Sequence, residues 1–145
     1  MISKEAQKSI KRFKRAASFI GFLVKSPIEM TPRRLRIGRL FNNLQGTVFP
    51  KVKGTTKEVI YLDDIRSFKI STPNSDPERI LLYFHGGGYS LGSPESHYSL
   101  ASYLADITKT VVYVPDYRLG PEYKFPAQLE AVSYTHLTLP TIRGV

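Results

Sequence analysis

Neither cysteine nor tryptophan occurs in this 145-residue chain, and its first fifty residues hold only two acidic side chains. Without cysteine there is no thiolate metal site and no disulfide scaffold, and the composition fits the reducing cytoplasm. No apolar run approaches the roughly 18 residues that a membrane-spanning helix needs. Phosphate-binding glycine patterns are missing as well. No G-x-x-x-x-G-K-[ST] occurs, and the sixth residue counted from Gly86 is Leu91, so G-x-G-x-x-G fails. What remains is a globular composition, 41% hydrophobic and 23% charged, in a length sufficient for one domain with a core.

The formal charge of +9 is unevenly distributed. Residues 1–50 hold eleven Lys and Arg against Glu5 and Glu29, whereas the remaining 95 residues hold ten of each sign. Basic character therefore belongs to a separate N-terminal element. Within it Ile10, Phe13, Ala17, Ile20 and Val24 recur at steps of three and four, with Lys8, Lys11, Arg12, Lys14 and Arg15 around them. That spacing predicts an amphipathic helix ending near Lys25, because Pro27 cannot continue it. A secretory signal is disfavoured, since no small-x-small site follows AASFIGFLV and Lys25 closes the run. Phe19, Phe22 and Leu23 widen the apolar face, so weak contact with an anionic membrane surface is one reading. The preferred reading packs the stripe on the rest of the protein. Nucleic acid is not an expected partner, because the basic residues lack interleaved aromatics on a sheet and no binding module accompanies them.

From Glu58 the texture changes to that of an α/β protein. EVIYL (58–62) and IRSFKIS (65–71) read as short strands separated by the turn pair Asp63-Asp64, and TPNSDPER reads as a loop. ILLYF (80–84) is continuously apolar, as a strand buried on both faces would be. Ser93 and Pro94 read as the cap and first residue of a helix lasting to about Thr108, with Leu100, Ala101, Leu104 and Ile107 on its inner face. VVYV (111–114) is the next buried strand, and Pro126 opens another helix.

The stretch HGGGYSLG, His85–Gly92, carries two conflicting signals. Its first half is a glycine run directly after a buried strand, where bare peptide units can approach a ligand and aim N–H groups at one point. In acyl transfer that point is the oxygen of a tetrahedral intermediate, and losing one donor costs about 2.7–4 kcal/mol of barrier. Its second half, Gly88-Tyr89-Ser90-Leu91-Gly92, satisfies the G-x-S-x-G pattern of a serine nucleophile. The plainer alternative is a glycine turn that only joins strand to helix.

Residues 80–132 resemble the hormone-sensitive-lipase-like branch of the alpha/beta-hydrolase family. Two motifs carry the likeness: the His85-Gly86-Gly87-Gly88 loop, and Asp116-Tyr117-Arg118-Leu119-Gly120-Pro121-Glu122 followed by Phe125-Pro126-Ala127. The family usually has alanine where Gly120 stands. The resemblance implies a mostly parallel sheet flanked by helices, residues 51–132 being the partial hydrolase domain and the basic residues 1–50 a helical, cap-like region. It implies a serine esterase or lipase acting on a small-molecule ester, with no metal or organic cofactor. It assigns the oxyanion N–H groups to Gly87 and Gly88 and makes Ser90 a decoy, because the family's nucleophile stands on a later strand-turn-helix. The alternative from a different class is a non-catalytic protein whose basic helix binds an anionic membrane or a partner.

No second G-x-S-x-G follows. Of the three histidines, His85 is expected to order the loop, His97 to sit near a helix start, and His136 falls in VSYTHLTLPTIRGV, where the helical period gives way to threonines and Pro140. This run, 133–145, resembles the conceptual translation of a transposase adapter used in sequencing-library preparation, and is expected to be non-native. The catalytic serine, acid and base are accordingly expected to be absent and the chain to be inactive and poorly soluble. In the family's strand order ILLYF would be left as an unpaired edge.

Overall fold

The computed structural model describes residues 31–138. The chain divides into two compact units, Met1–Thr31 and Pro32–Val145. The amphipathic segment read over Ile10–Val24 and the tail beyond Thr138 lie outside the described residues.

The unit opens with helix α1 (Pro32–Val48), started by a proline whose missing N–H costs nothing at a first turn. Strands β1 (Thr56–Leu62) and β2 (Ile65–Ser71) form a hairpin with Leu62 opposite Ile65, turned by Asp63 in the left-handed region. Strand β3 (Asp76–Leu82), helix α2 (Tyr98–Thr108) and strand β4 (Thr110–Pro115) then make a β-α-β unit, and helix α3 (Ala127–Thr138) follows. The strand order is β1-β2-β4-β3, with β1/β2 and β2/β4 antiparallel and β3/β4 parallel.

Strand β4 explains the layering. All six of its residues are buried, so its side chains feed both faces of the sheet. Val112 and Val114 join Phe68, Ile70, Ala101 and Ala105 on one face, while Val111 and Tyr113 join Leu62 on the other. Full burial of each such aliphatic side chain contributes roughly 1.5–3 kcal/mol. Helix α2 covers the first face through Ala101, Ser102 and Ala105, whose small side chains allow a close approach. The Ser102 hydroxyl there accepts the Val52 N–H at 2.8 Å and meets the Thr55 hydroxyl at 2.9 Å.

Several sequence readings need correction. Leu100 and Ile107 lie 48% and 76% exposed, so the inner face of α2 is rotated toward Tyr98, Ala101, Ser102 and Ala105. The helix itself begins at Tyr98 rather than Pro94. Ser93 does act as a cap, but of an isolated turn: its Oγ accepts the Ser96 N–H at 3.1 Å, the Ser96 Oγ accepts the Ser93 N–H at 2.9 Å, and Asn43 on α1 holds the Ser93 hydroxyl at 2.6 Å. Finally, β3 starts at Asp76, four residues before the apolar run, because the Asp76 N–H pairs with the Lys109 carbonyl at 3.2 Å; a register shift separates it from Ile80. Ile80–Leu82 are half-buried rather than buried, since β3 is an edge strand paired only with β4 among the described residues. Helix α3 runs unbroken past Val132 to Thr138.

Candidate active site

Both loops singled out in the sequence leave the carboxyl ends of the two parallel strands, where open α/β sheets bind their ligands. The glycine loop follows β3 and the Asp116–Glu122 loop follows β4, so strand pairing alone brings them together.

The glycine loop is held at three points. At its start His85 is 2% exposed, and its ring stacks on Tyr117 at a 4.3 Å centroid distance. The Tyr117 hydroxyl donates to the His85 carbonyl. In the middle, the Gly120 N–H donates to the Tyr89 carbonyl at 2.7 Å. At the far end Arg39 of α1 donates from Nε to the Ser90 carbonyl at 2.9 Å. Within the loop, the Ser90 and Leu91 N–H groups both point at the Gly87 carbonyl, at 3.2 and 2.9 Å. Gly87 and Gly88 adopt φ of 133° and 59°, and Tyr89 follows at 56°. No carbonyl among the described residues accepts the Gly87 or Gly88 N–H. Those two residues line an apolar groove of about 790 Å³ with Phe84, Tyr117, Phe125, Leu129 and Val132.

His85 lies at the start of the glycine loop and His97 at a helix start. Burial holds the His85 imidazole below its ordinary pKa, a hydrogen bond from its Nδ1 to the Gly86 carbonyl only partly opposing this. Its Nε2 is buried without a hydrogen-bond partner among the described residues. His97 stands at the N-terminus of α2, its Nδ1 2.9 Å from the Ser96 hydroxyl, and burial lowers its pKa also. Ser90 belongs to the turn that closes the glycine loop, and no histidine is bonded to it among the described residues. The side chain of His136 lies outside what the structure describes.

Beneath the two loops, Arg66 of β2 pairs with Asp116 at 3.0 Å and with Glu95. Burial lifts the Asp116 carboxyl, the neighbouring Glu95 charge adds to this, and Arg66 only partly opposes them. Burial would lift Glu95 too, but its hydrogen bond and charge contact with Arg66, helped by its own backbone and Ser93, bring it below the usual range. The network ties β2 to both loops. Sequence reasoning missed Arg39 and Arg66 as members of this assembly. Their partners lie 29 to 83 residues away, and no local spacing signals such a contact.

Two loops at the carboxyl ends of a β-α-β unit in a mixed sheet are consistent with part of an alpha/beta-hydrolase fold, and residues 81–138 match the family described as alpha/beta hydrolase fold. The matched segment resembles the hormone-sensitive-lipase-like esterases and lipases. The chain is 48% identical over 58 residues to an acetyl-hydrolase of Streptomyces hygroscopicus, a match covering 40% of this chain and 19% of that protein. Its fold is similar to a hormone-sensitive lipase from a metagenome library, at 26% identity and TM-score 0.75, covering 90% of this chain and 43% of the other. An esterase of the bacterial hormone-sensitive lipase family gives 26% identity and TM-score 0.73, covering 89% and 42%. The chain thus spans about a fifth of the curated relative and about two fifths of the solved structures. Among the described residues no helix is long and apolar enough to cross a membrane.

Proposed function

We propose that this chain supplies the oxyanion-binding wall of a carboxylic-ester hydrolase acting on small-molecule esters in the cytoplasm. The observation that carries the reading is a pair of consecutive glycines at positive φ, neither N–H group taken by a carbonyl among the described residues, lining an apolar groove at the carboxyl end of β3. In this reading the carbonyl oxygen of the ester sits against the Gly87 and Gly88 N–H groups. They bind it more strongly as it gains negative charge, each being worth about 2.7–4 kcal/mol in the transition state. Phe84, Phe125 and Leu129 receive an apolar part of the ester, acyl or alcohol, and exclude water from the developing charge. His85 does not take the serine proton. Its ring is buried, stacked on Tyr117 and committed to shaping the loop. Ser90 is not the nucleophile, because its backbone is bound into the oxyanion turn on both sides.

A nucleophile, a base and a group to orient the base are still needed. We infer that they lie in sequence beyond this chain, and that the 145 residues alone hydrolyse no ester. The test is p-nitrophenyl acetate and butyrate turnover by the purified chain and by the reading frame extended past Val132. Turnover by the extended protein with none by the chain is the expected result. Turnover by the chain itself refutes the incompleteness, and an extended protein inert toward every short acyl ester refutes the hydrolase reading.

A further inference from the structure

Tyr89 stands in the left-handed region at φ 56°, a conformation that costs a bulky residue roughly 1–2 kcal/mol, and its side chain is 65% exposed. Packing of that side chain does not hold it there. What does is its backbone, through the Gly120 N–H on the Tyr89 carbonyl and Arg39 on the next carbonyl, that of Ser90.

Arg39 does more than meet one carbonyl. Its Nη2 donates to the Gly120 carbonyl at 2.8 Å, and its two terminal nitrogens grip the Glu122 carboxylate at 2.8 and 2.9 Å. One planar guanidinium thus joins helix α1, the end of the glycine loop and the loop after β4. The same Gly120 peptide region is used from both sides: its N–H holds Tyr89 and its carbonyl is held by Arg39. Only a rigid fork with several coplanar donors can satisfy these acceptors together, and a lysine ammonium, a point charge, cannot.

We propose that Arg39 is a positioning residue for the glycine loop, holding the Gly87–Gly88 segment in its place along the groove by fixing the Ser90 and Gly120 carbonyls. Its catalytic meaning rests on the ester-hydrolase reading given above, but its effect on the loop does not. Glu122 orients the guanidinium from the solvent side, and the two backbone contacts carry the positioning.

The experiment compares backbone amide hydrogen exchange, read by mass spectrometry at micromolar concentration, in the whole chain and in Arg39→Met, Arg39→Lys and Glu122→Gln. Arg39→Met is expected to speed exchange over residues 86–92 by about tenfold, leaving β4 unchanged. Arg39→Lys is expected to resemble Arg39→Met, and Glu122→Gln to stay near the parent. Three results overturn the proposal: loop exchange unaltered in Arg39→Met, full rescue by lysine, or equal acceleration in the loop and β4, which would make Arg39 a general stability contact. Should Arg39→Met fail to fold, the lysine and Glu122 variants decide between the same outcomes. In the extended reading frame, Arg39→Lys is expected to lower kcat with KM nearly unchanged. Loop loosening without any ester turnover removes the hydrolase reading alone; turnover with an unmoved loop removes Arg39 alone.

Discussion

Alanine at Gly87 and alanine at Gly88 are one methyl group each, one residue apart, and their costs should differ widely. At Gly88 an added Cβ meets nothing within 4 Å, so the whole penalty is the left-handed φ of 59°, roughly 1–2 kcal/mol. The narrower unfolded ensemble of alanine returns about 0.4–1 kcal/mol of that, leaving a net loss near 1 kcal/mol. At Gly87 the Cβ would lie 1.9 Å from the Leu91 carbonyl oxygen and 2.3 Å from its carbon, at φ 133°. Both are backbone atoms and cannot swing aside. Moving Leu91 away also breaks its N–H bond to the Gly87 carbonyl. Backbone strain of about 1–3 kcal/mol, overpacking of about 1–3 kcal/mol and a lost hydrogen bond near 1 kcal/mol sum to roughly 3–7 kcal/mol. Urea unfolding of the two variants, followed by far-ultraviolet circular dichroism, gives the comparison. Midpoints corresponding to stabilities within about 0.5 kcal/mol of each other, or a Gly88 variant weaker than the Gly87 one, would refute this account of the loop.

Gly120→Ala should be neutral or stabilise by about 0.4–1 kcal/mol, because its Cβ would rest 3.6 Å from the Tyr123 and Tyr89 carbonyl oxygens without strain; a lowered thermal midpoint contradicts this. Tyr117→Phe keeps the stack on His85 but strands a buried carbonyl, and should cost about 1–3 kcal/mol, so an unchanged midpoint argues against the clamp. Burial lowers the folded-state pKa of both His85 and His97 from the ordinary value near 6.5, so between that value and their folded pKa the unfolded chain binds more protons. Stability should therefore fall as pH drops from 7.5 to 5.5, and a midpoint that rises over that interval, measured calorimetrically, is the contrary result.

Local chemistry made much of the fold legible. Strand β2 runs over the same seven residues that the alternating IRSFKIS marks, and VVYV lies inside the fully buried β4, because there side-chain pattern and burial coincide. The start of α2 was less legible: Ser93 has the chemistry of a helix cap, but Ser96 and Asn43 return its hydrogen bonds to a turn, and Asn43 is fifty residues distant. Helix α1 was hidden for another reason. Its strongest apolar side chains, Ile37, Leu40, Phe41 and Leu44, are more than half exposed, while Leu35 is buried and the polar Arg39 and Asn43 reach the segments that follow β3 and β4. The pairing of the glycine loop with the loop after β4 was legible only as two motifs; that they share Arg39 needed coordinates.

The outer side of β3 has a selectivity of its own. Its first four residues are exposed, three of them charged, and Pro77 offers no N–H to a neighbour, so they discourage another strand from zipping onto that half. Only Ile80–Leu82 remain welcoming, and they run directly into His85. Neighbouring nascent chains that join there would seize the segment feeding the glycine turn before touching β1 or β2. Crowding during synthesis should thus spoil the ligand groove first and the helix content last.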